Sequence, residues 1–336
     1  MKNYLERLQD IAPAILSEDI DYFELSNALK SYKELLLEIS NLEYETEENR
    51  DNIALPHGLA IGPTWAARCL DDMMRTKKFV RGIYLAISKI KSKNKEPLQI
   101  LYCGSGPFAT LVLPLLTLYT SEEIQLTLVE VNPISFAHVK NVFKSLGAEA
   151  YLKNVILEDA TKINLENSHE IDVVIIECLQ HALAREPQVA ITANVMKQCR
   201  GDVSLIPEEI SLQLSLLNHK EEFDNNSIIF NSSSRVDKKV FSLNKREALQ
   251  YNFNGVESYF FPKKEVCFTL SELKNNTALA VTTTIKIFDN EVLTNKESGL
   301  TIPYIFCEID DKQEALSVNT QYEVGLNPKL IVSIKK

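Results

Sequence analysis

The sequence predicts an α/β chain in three parts: a helical N-terminal segment, a domain built on a parallel sheet, and a mainly antiparallel β domain. Three observations carry that prediction. Apolar residues recur every three or four positions through the first forty-odd residues. Short apolar runs then alternate with helical stretches, and after Pro207 apolar residues alternate with period two. A chain of 336 residues suits two or three folding units, at about 100–200 residues each. With 45% hydrophobic and 24% charged residues, it falls outside disordered, collagen-like and coiled-coil composition.

The helical segment, taken as 1–50, places Leu5, Leu8 and Ile11, then Leu25, Leu29, Tyr32, Leu36 and Ile39, on apolar stripes, and the acidic run EYETEENRDN closes it. From Trp65 to Ile90, Cys69, Leu70, Met73, Met74, Phe79, Val80, Ile83 and Ile87 fit a helix that ends at KSKNKEP. Then come five candidate strands, LQILYC, IQLTLVEV, AYLKNVILEDA, EIDVVIIE and DVSLIP, separated by helical stretches. That alternation predicts a parallel sheet covered on both faces over 51–206. In 207–336, Ile210, Leu212, Leu214 and Leu216 share one face of a strand, and ALAVTTTIKIF and KLIVSI read the same way. No internal repeat or low-complexity segment is visible.

Thirty-six Lys and Arg against 46 Asp and Glu give a net charge of −10. Such a chain repels phosphate backbones and favours a cationic partner, so no nucleic-acid partner is expected. The first 23 residues carry acids throughout, and LVLPLLTLY is too short to span a bilayer, so no membrane association and a cytoplasmic location are expected. Cys69, Cys103, Cys178, Cys199, Cys267 and Cys307 form no CxxC pair, and the five histidines do not join them at zinc spacing. They read as mostly buried small hydrophobes, and no metal is predicted.

The first strand of the parallel unit ends in Cys103-Gly104-Ser105-Gly106-Pro107-Phe108, before an apolar stretch that can be a helix. Gly104 and Gly106 would let backbone N–H groups approach a nucleoside at the strand's carboxyl end. Alone, that turn is a weak signal. Glu130 ends the next strand, where an acid accepts ribose hydroxyls, and Asp159, before Ala160, ends the third, where it accepts an exocyclic amine. A dinucleotide such as NAD remains compatible with the glycines, since Ala109 fits the looser pattern.

Two further runs carry a family resemblance. Cys69 to Phe79, CLDDMMRTKKF, is similar to an MLxDxxRTxxY helix, and Glu177-Cys178-Leu179-Gln180-His181-Ala182-Leu183-Ala184-Arg185-Glu186 is similar to a loop with two glutamates nine residues apart. SLIPEEISLQLSLL and the stretch from ALAVTTTIKIFDNEVLTNKESG to NPKLIVSI complete the match. Over roughly 66–336 the chain resembles the class I S-adenosylmethionine-dependent methyltransferases, and more narrowly the protein arginine methyltransferases. The resemblance implies a Rossmann-like methyltransferase domain followed by a β-barrel-like domain. It implies that Arg75 holds the methionine carboxylate of S-adenosyl-L-methionine beside Gly104, Gly106, Glu130, Asp159 and Ala160. It implies that Glu177 and Glu186 grip a guanidinium, for which planar bidentate pairing suits carboxylates.

Several residues depart from the family pattern. Tyr102 stands where an acid precedes the glycines, Phe108 replaces the third glycine, and NIALPHGLAIGPTWAA replaces the YFxxY segment, with Ala66 in place of a histidine. Thr301-Ile302-Pro303 falls where a THW triplet would stand, and His181 lies inside the double-glutamate loop but outside the expected catalytic pair. The expected activity is methylation of a guanidino nitrogen, on free arginine, a small guanidino compound or an arginine-containing peptide. Another amine or hydroxyl acceptor, and a non-catalytic cofactor-binding scaffold, stay open as alternatives. A homodimer is implied by the family. Only 129 residues follow Pro207, which leaves little room for the family's dimerisation arm, so the stripes of the helical segment are expected to supply the contact.

Overall fold

The structure, a computed structural model, describes residues 3–43, 46–91, 97–218, 235–253, 255–310 and 314–335. Parts of EYETEENRDN and KSKNKEP, residues 44–45 and 92–96, lie outside the described residues. Helix α1 (Tyr4–Leu16) starts with a capping box: Asn3 accepts from the Glu6 N–H at 2.8 Å, and Glu6 accepts from the Asn3 N–H at 2.9 Å. Asp21 caps α2 (Tyr22–Ser40) by accepting from the N–H groups of Phe23 and Glu24.

The stripes of these two helices are spent within the chain. Leu8, Ile15, Leu25, Tyr32 and Leu36 are fully buried in the same core as the parallel-sheet domain. This corrects the expectation that the stripes themselves meet a partner, because a stripe covered by its own chain has no apolar area left for one; Ile20, Tyr22 and Phe23 of the same segment stay exposed. Helix ends leave carbonyls without partners, and at α1 two cations fill that need: Lys77 Nζ donates to the Ser17 carbonyl at 2.7 Å and Arg81 to the Leu16 carbonyl at 2.6 Å.

A hairpin, β1 (Ile53–Leu55) with β2 (Gly58–Ala60), leads into α3 (Pro63–Arg68) and a 3-10 turn, Cys69–Asp71. The helix expected over 65–90 is therefore two helices. The break is Asp72, at φ −80° and ψ 92°, whose carboxylate accepts from the Arg75 N–H at 3.1 Å and starts α4 (Met73–Lys91) afresh. An N-terminal acid competes with the preceding turn for the backbone, and here it wins. Gly82 in α4 lies so close to a strand of the second domain that a Cβ there would sit 2.4 Å from Ile287 Cγ2.

The parallel sheet comprises β3 (Leu98–Cys103), β4 (Ile124–Glu130), β5 (Leu152–Leu157), β6 (Ile171–Ile176) and β7 (Ser204–Ile206), in the order β5-β4-β3-β6-β7. Between them run α5 (Pro133–Leu146), capped by Asn132, and α6 (Gln188–Gln198). All six residues of β6 are buried, as a near-continuous apolar run in a covered sheet should be. The order reverses beside β3, so a crevice opens outside the carboxyl ends of β3, β4 and β6. The apolar stretch after the glycines is not an α-helix but a chain of turns ending in a 3-10 segment, Leu113–Thr117. Pro114 has no N–H to donate, Ala109 sits at φ +51°, and Phe108 to Leu116 is buried nearly throughout, so no amphipathic helix face exists.

After Pro207 come β8 (Glu209–Leu217), β9 (Val236–Asn244), β10 (Tyr259–Phe260), β11 (Lys264–Thr269), β12 (Ala278–Phe288), β13 (Glu291–Leu293), β14 (Tyr304–Glu308), β15 (Ala315–Val324) and β16 (Lys329–Ile334). One antiparallel sheet runs β13-β12-β8-β9 with β14 also on β12; a second runs β10-β15-β11 with β16 on β15. Phe241 of β9 stacks on Tyr322 of β15 at 4.3 Å between centroids, and Phe261 meets Phe241 edge-on at 5.0 Å, joining the sheets. Of the six cysteines, all free, only Cys103 is fully buried and Cys267 is exposed, so the expectation of mostly buried thiols is too broad. No helix among the described residues is long and apolar enough to cross a membrane.

Leu36 is 0% exposed in the shared core. Leu36→Ala should therefore lower the stability of the whole helical and parallel-sheet unit by about 2–5 kcal/mol. Urea unfolding followed by both circular dichroism and core fluorescence should show one displaced transition. A transition that leaves the sheet domain unmoved would mean the helical segment is an independent appendage.

Candidate functional site

Eight residues singled out in the sequence, Arg75, Gly104, Gly106, Glu130, Asp159, Ala160, Glu177 and Glu186, line one cleft at the carboxyl end of the parallel sheet. Five chain segments deliver them. Gly104 (φ +78°) and Gly106 (φ +61°) both need the left-handed backbone that glycine adopts without strain. Gly104 also lies against the double-glutamate loop, where a Cβ would be 2.4 Å from Cys178 Sγ.

Glu130, at the last position of β4, braces that turn. Its carboxylate accepts from the Gly106 N–H and the Asn132 N–H, each at 2.8 Å. Burial raises its pKa against the pull of those donors. Two bonds leave about half of a carboxylate's lone-pair directions free. Asp159 lies two residues beyond the end of β5. One of its oxygens accepts from the Thr161 N–H at 2.9 Å, while Oδ2 is buried without a hydrogen-bond partner. An orphaned buried carboxylate oxygen is costly and marks where a donor would be received. Asn194 fixes the Ala160 carbonyl at 3.1 Å.

Arg75 reaches the cleft because α4 restarts at Asp72. Its guanidinium is ion-paired with Glu177, both side chains being nearly buried. Burial raises the Glu177 carboxyl while the Arg75 charge draws it back, so Glu177 is the carboxylate that ionises first. Glu186 has no such partner among the described residues. Burial first, and the charge of Glu177 second, push its pKa up to about 8 against the opposing charges of Arg75 and Arg185. Two buried acids thus face one buried cation, and the pair lacks one positive charge when both are ionised.

The loop carrying Glu186 is held in an unfavourable shape. Ala182, Leu183 and Arg185 lie at φ +56°, +52° and +66°, each costing on the order of 1 kcal/mol or more for a non-glycine residue. The second domain restrains it: Thr283 Oγ1 accepts from the Ala182 N–H at 3.0 Å, the Tyr322 hydroxyl donates to the Leu183 carbonyl at 2.6 Å, and the Pro328 carbonyl accepts from the Arg185 N–H at 2.8 Å. From the other side the Leu59 N–H donates to the Arg185 carbonyl at 2.8 Å, and a Cβ at Gly58 would be 2.8 Å from that same carbonyl. Gln188, just past the loop, ties back to its start: it accepts from the Cys178 N–H and donates to the Ile176 carbonyl, each at 3.0 Å.

Sequence reasoning missed the roof. The segment that replaces YFxxY forms the β1–β2 hairpin, whose Leu55 and Leu59, with Ile61 beyond it, line the cleft. The glycine before Leu59 in PHGLAIG was the available signal. It also missed Asp72, whose other oxygen accepts from Ser298 Oγ at 2.6 Å and the Gly299 N–H at 2.8 Å and so docks the segment standing where THW would be. A second opening, which shares Arg75 and Glu186 with the first, is lined by Asn52, Trp65, Gln180, His181, Arg185 and Gly299 among others. Burial lowers the His181 pKa, and its ring stacks near Tyr304 at 6.5 Å.

No protein-family model and no curated protein sequence matches the chain. Solved structures do. A Trypanosoma brucei PRMT1 enzyme-prozyme heterotetrameric complex with AdoHcy is 12% identical, with a TM-score of 0.53 over 80% of this chain and 92% of that one. PRMT6 bound to SAH is 10% identical, with a TM-score of 0.53 over 76% and 96%. Protein arginine methyltransferase 10 of Arabidopsis thaliana, in an open conformation, is 8% identical, with a TM-score of 0.53 over 79% and 95%. The chain therefore has the arginine methyltransferase-like fold, a Rossmann-like core with a following antiparallel β domain. At these identities the likeness concerns the fold.

Two outcomes check the electrostatics of the site. Carboxyl-carbon NMR should find one glutamate titrating near pH 8, and Glu186→Gln should remove that titration; its persistence would reassign it. Arg75→Met leaves the buried Glu177 without its counter-charge, and at neutral pH should cost about 3–5 kcal/mol in urea unfolding. A loss under about 1 kcal/mol would place the pair in effective contact with solvent.

Proposed function

We propose that the chain is an S-adenosyl-L-methionine-dependent N-methyltransferase acting on a guanidino nitrogen, on free arginine, a small guanidino compound or a protein arginine. The single observation that carries this reading is the pair of buried acids with one buried cation, of which Glu186 is raised to about pH 8. Such a pair calls for a cation, and a guanidinium meets two carboxylates with parallel N–H donors. A neutral hydroxyl offers nothing to hold Glu186 ionised, so its carboxyl would simply keep its proton.

The residues at the opposite wall fit the cofactor. Asp159 Oδ2 is an acceptor without a donor, suited to an exocyclic amine. Glu130 keeps lone pairs for ribose hydroxyls, and Arg75, with five N–H donors, has some left over from Glu177 for a carboxylate. The similar folds in complex with AdoHcy and SAH support the same assignment. When bound, S-adenosyl-L-methionine supplies a methyl group already activated on a sulfonium. The protein's work is then alignment and proton placement: Glu177 and Glu186 orient the acceptor nitrogen, and the apolar roof at Leu55, Leu59 and Ile61 excludes water. The Glu186 carboxylate, with its raised proton affinity, takes up the proton that the methylated nitrogen loses.

The sign of the pH dependence follows from the raised pKa. Glu186 is protonated below about pH 8 and ionised above it, and only the ionised form attracts a cation. Acceptor affinity should rise as pH rises through that value, then level off. Glu186→Gln should flatten the profile.

Labelled methyl transfer to arginine, agmatine, an arginine peptide and a panel of amines and phenols tests the assignment. Glu186→Gln should lower kcat/KM by about one to two decades while leaving cofactor affinity nearly unchanged; Glu177→Gln should lower it at least as much and also disturb cofactor binding, because it deprives the buried Arg75 of its partner. Asp159→Ala should do the reverse, weakening cofactor binding about tenfold. Efficient methylation of a phenol alone, indifferent to both Gln variants, would overturn the reading.

A further inference from the structure

We propose that the acceptor is a guanidino carboxylate, whose carboxylate is bound by Arg185 at the mouth of the cleft while Glu177 and Glu186 hold the guanidinium. This rests on the function proposed above and names its substrate class.

Arg185 lines the outer opening together with Glu186, Asn52, Gln180 and His181. Its backbone is clamped on both sides, by the Pro328 carbonyl and the Leu59 N–H, each at 2.8 Å, and is fixed at φ +66°. The side chain is exposed, and its charge acts on the neighbouring Glu186, drawing that carboxyl's pKa down against burial, without an ion pair or hydrogen bond of its own among the described residues. An exposed cation beside two guanidinium-binding acids is unfavourable for an acceptor that carries positive charge alone, because it repels that acceptor on approach. The same cation becomes an asset when the acceptor brings an anion to the mouth, where a guanidinium fork pairs bidentately with a carboxylate.

Glu186 is buried and its sequence neighbour Arg185 is exposed, so an inner acid and an outer cation stand on adjacent residues, an order that suits an acceptor with a guanidinium at one end and a carboxylate at the other. Leu59 and Ile61, which line both openings, offer an apolar wall to the intervening methylenes.

The test is calorimetric binding to the full chain with S-adenosylhomocysteine present, using two pairs of probes that differ in the carboxylate: Nα-acetylarginine against Nα-acetylarginine amide, and arginine against agmatine. The carboxylate-bearing member of each pair should bind about tenfold more tightly, a typical exchange for one charged contact. Arg185→Gln should erase that preference, and Arg185→Lys, which keeps the charge but not the fork, should keep part of it. A thermal melt of each variant serves as the folding control. Equal binding within each pair, or a preference that survives in Arg185→Gln, overturns the inference while leaving a guanidino acceptor in place. If none of the four binds, the guanidino reading falls and takes this inference with it. If arginine and Nα-acetylarginine bind alike, a peptide's C-terminal arginine is as acceptable as the free amino acid; tighter binding of arginine alone assigns the free amino acid.

Discussion

The buried ion pair between Arg75 and Glu177 is the constraint around which the three parts of the chain are arranged. Taking two charges out of water is expensive unless each is fixed in good geometry, so the helix that carries Arg75 has to be immobile. The neighbouring cations of α4 do this. Lys77 and Arg81 tie it to the carbonyl end of α1, Arg81 also binds Glu291 at 2.7 Å, and Lys78 binds Glu297 at 2.8 Å. Gly82 lets the same helix press against β12. One helix thus joins the N-terminal segment, the parallel sheet and the antiparallel domain.

The antiparallel domain is accordingly part of the site. The loop between Glu177 and Glu186 holds three non-glycine residues in left-handed conformations, and a free loop would relax from them. Thr283, Tyr322 and Pro328 of the second domain hold it from one side and Leu59 of the hairpin from the other. The consequence is chemical. Glu186 is kept out of water beside Glu177, and its proton affinity rises to near neutrality. The Tyr32 hydroxyl, donating to the Thr110 carbonyl at 2.8 Å, gives the helical segment a comparable part, since Thr110 lines the cleft behind the glycine turn.

Much of this was legible in the sequence because it is encoded in local periodicity and spacing. The apolar runs of β3, β4 and β6, the period-two strand β8 and the glycines at 104 and 106 each state their own geometry. The eight residues singled out for the site do line one cleft, because residues at the carboxyl ends of adjacent parallel strands meet wherever the strand order reverses. Where the reading went astray, a side chain's choice among partners decided the outcome. Asp72 capped a new helix, Pro114 and Ala109 turned an apolar stretch into 3-10 and turn structure, and the stripes of α1 and α2 met their own chain before any partner.

By itself, then, the sequence determined the order of the elements, the parallel sheet with its antiparallel sequel, and the residue types that could meet at the strand ends. Each depends on residues close together in the chain. Only the tertiary structure decided that the β1–β2 hairpin roofs the cleft, that Arg75 pairs with Glu177 while Glu186 is left outside that ion pair, and that Arg185 stands at the mouth. Those outcomes depend on desolvation and on charges brought together from segments a hundred residues apart, such as Arg75 and Glu177. The strength of such interactions is set by surroundings that no single stretch of sequence contains.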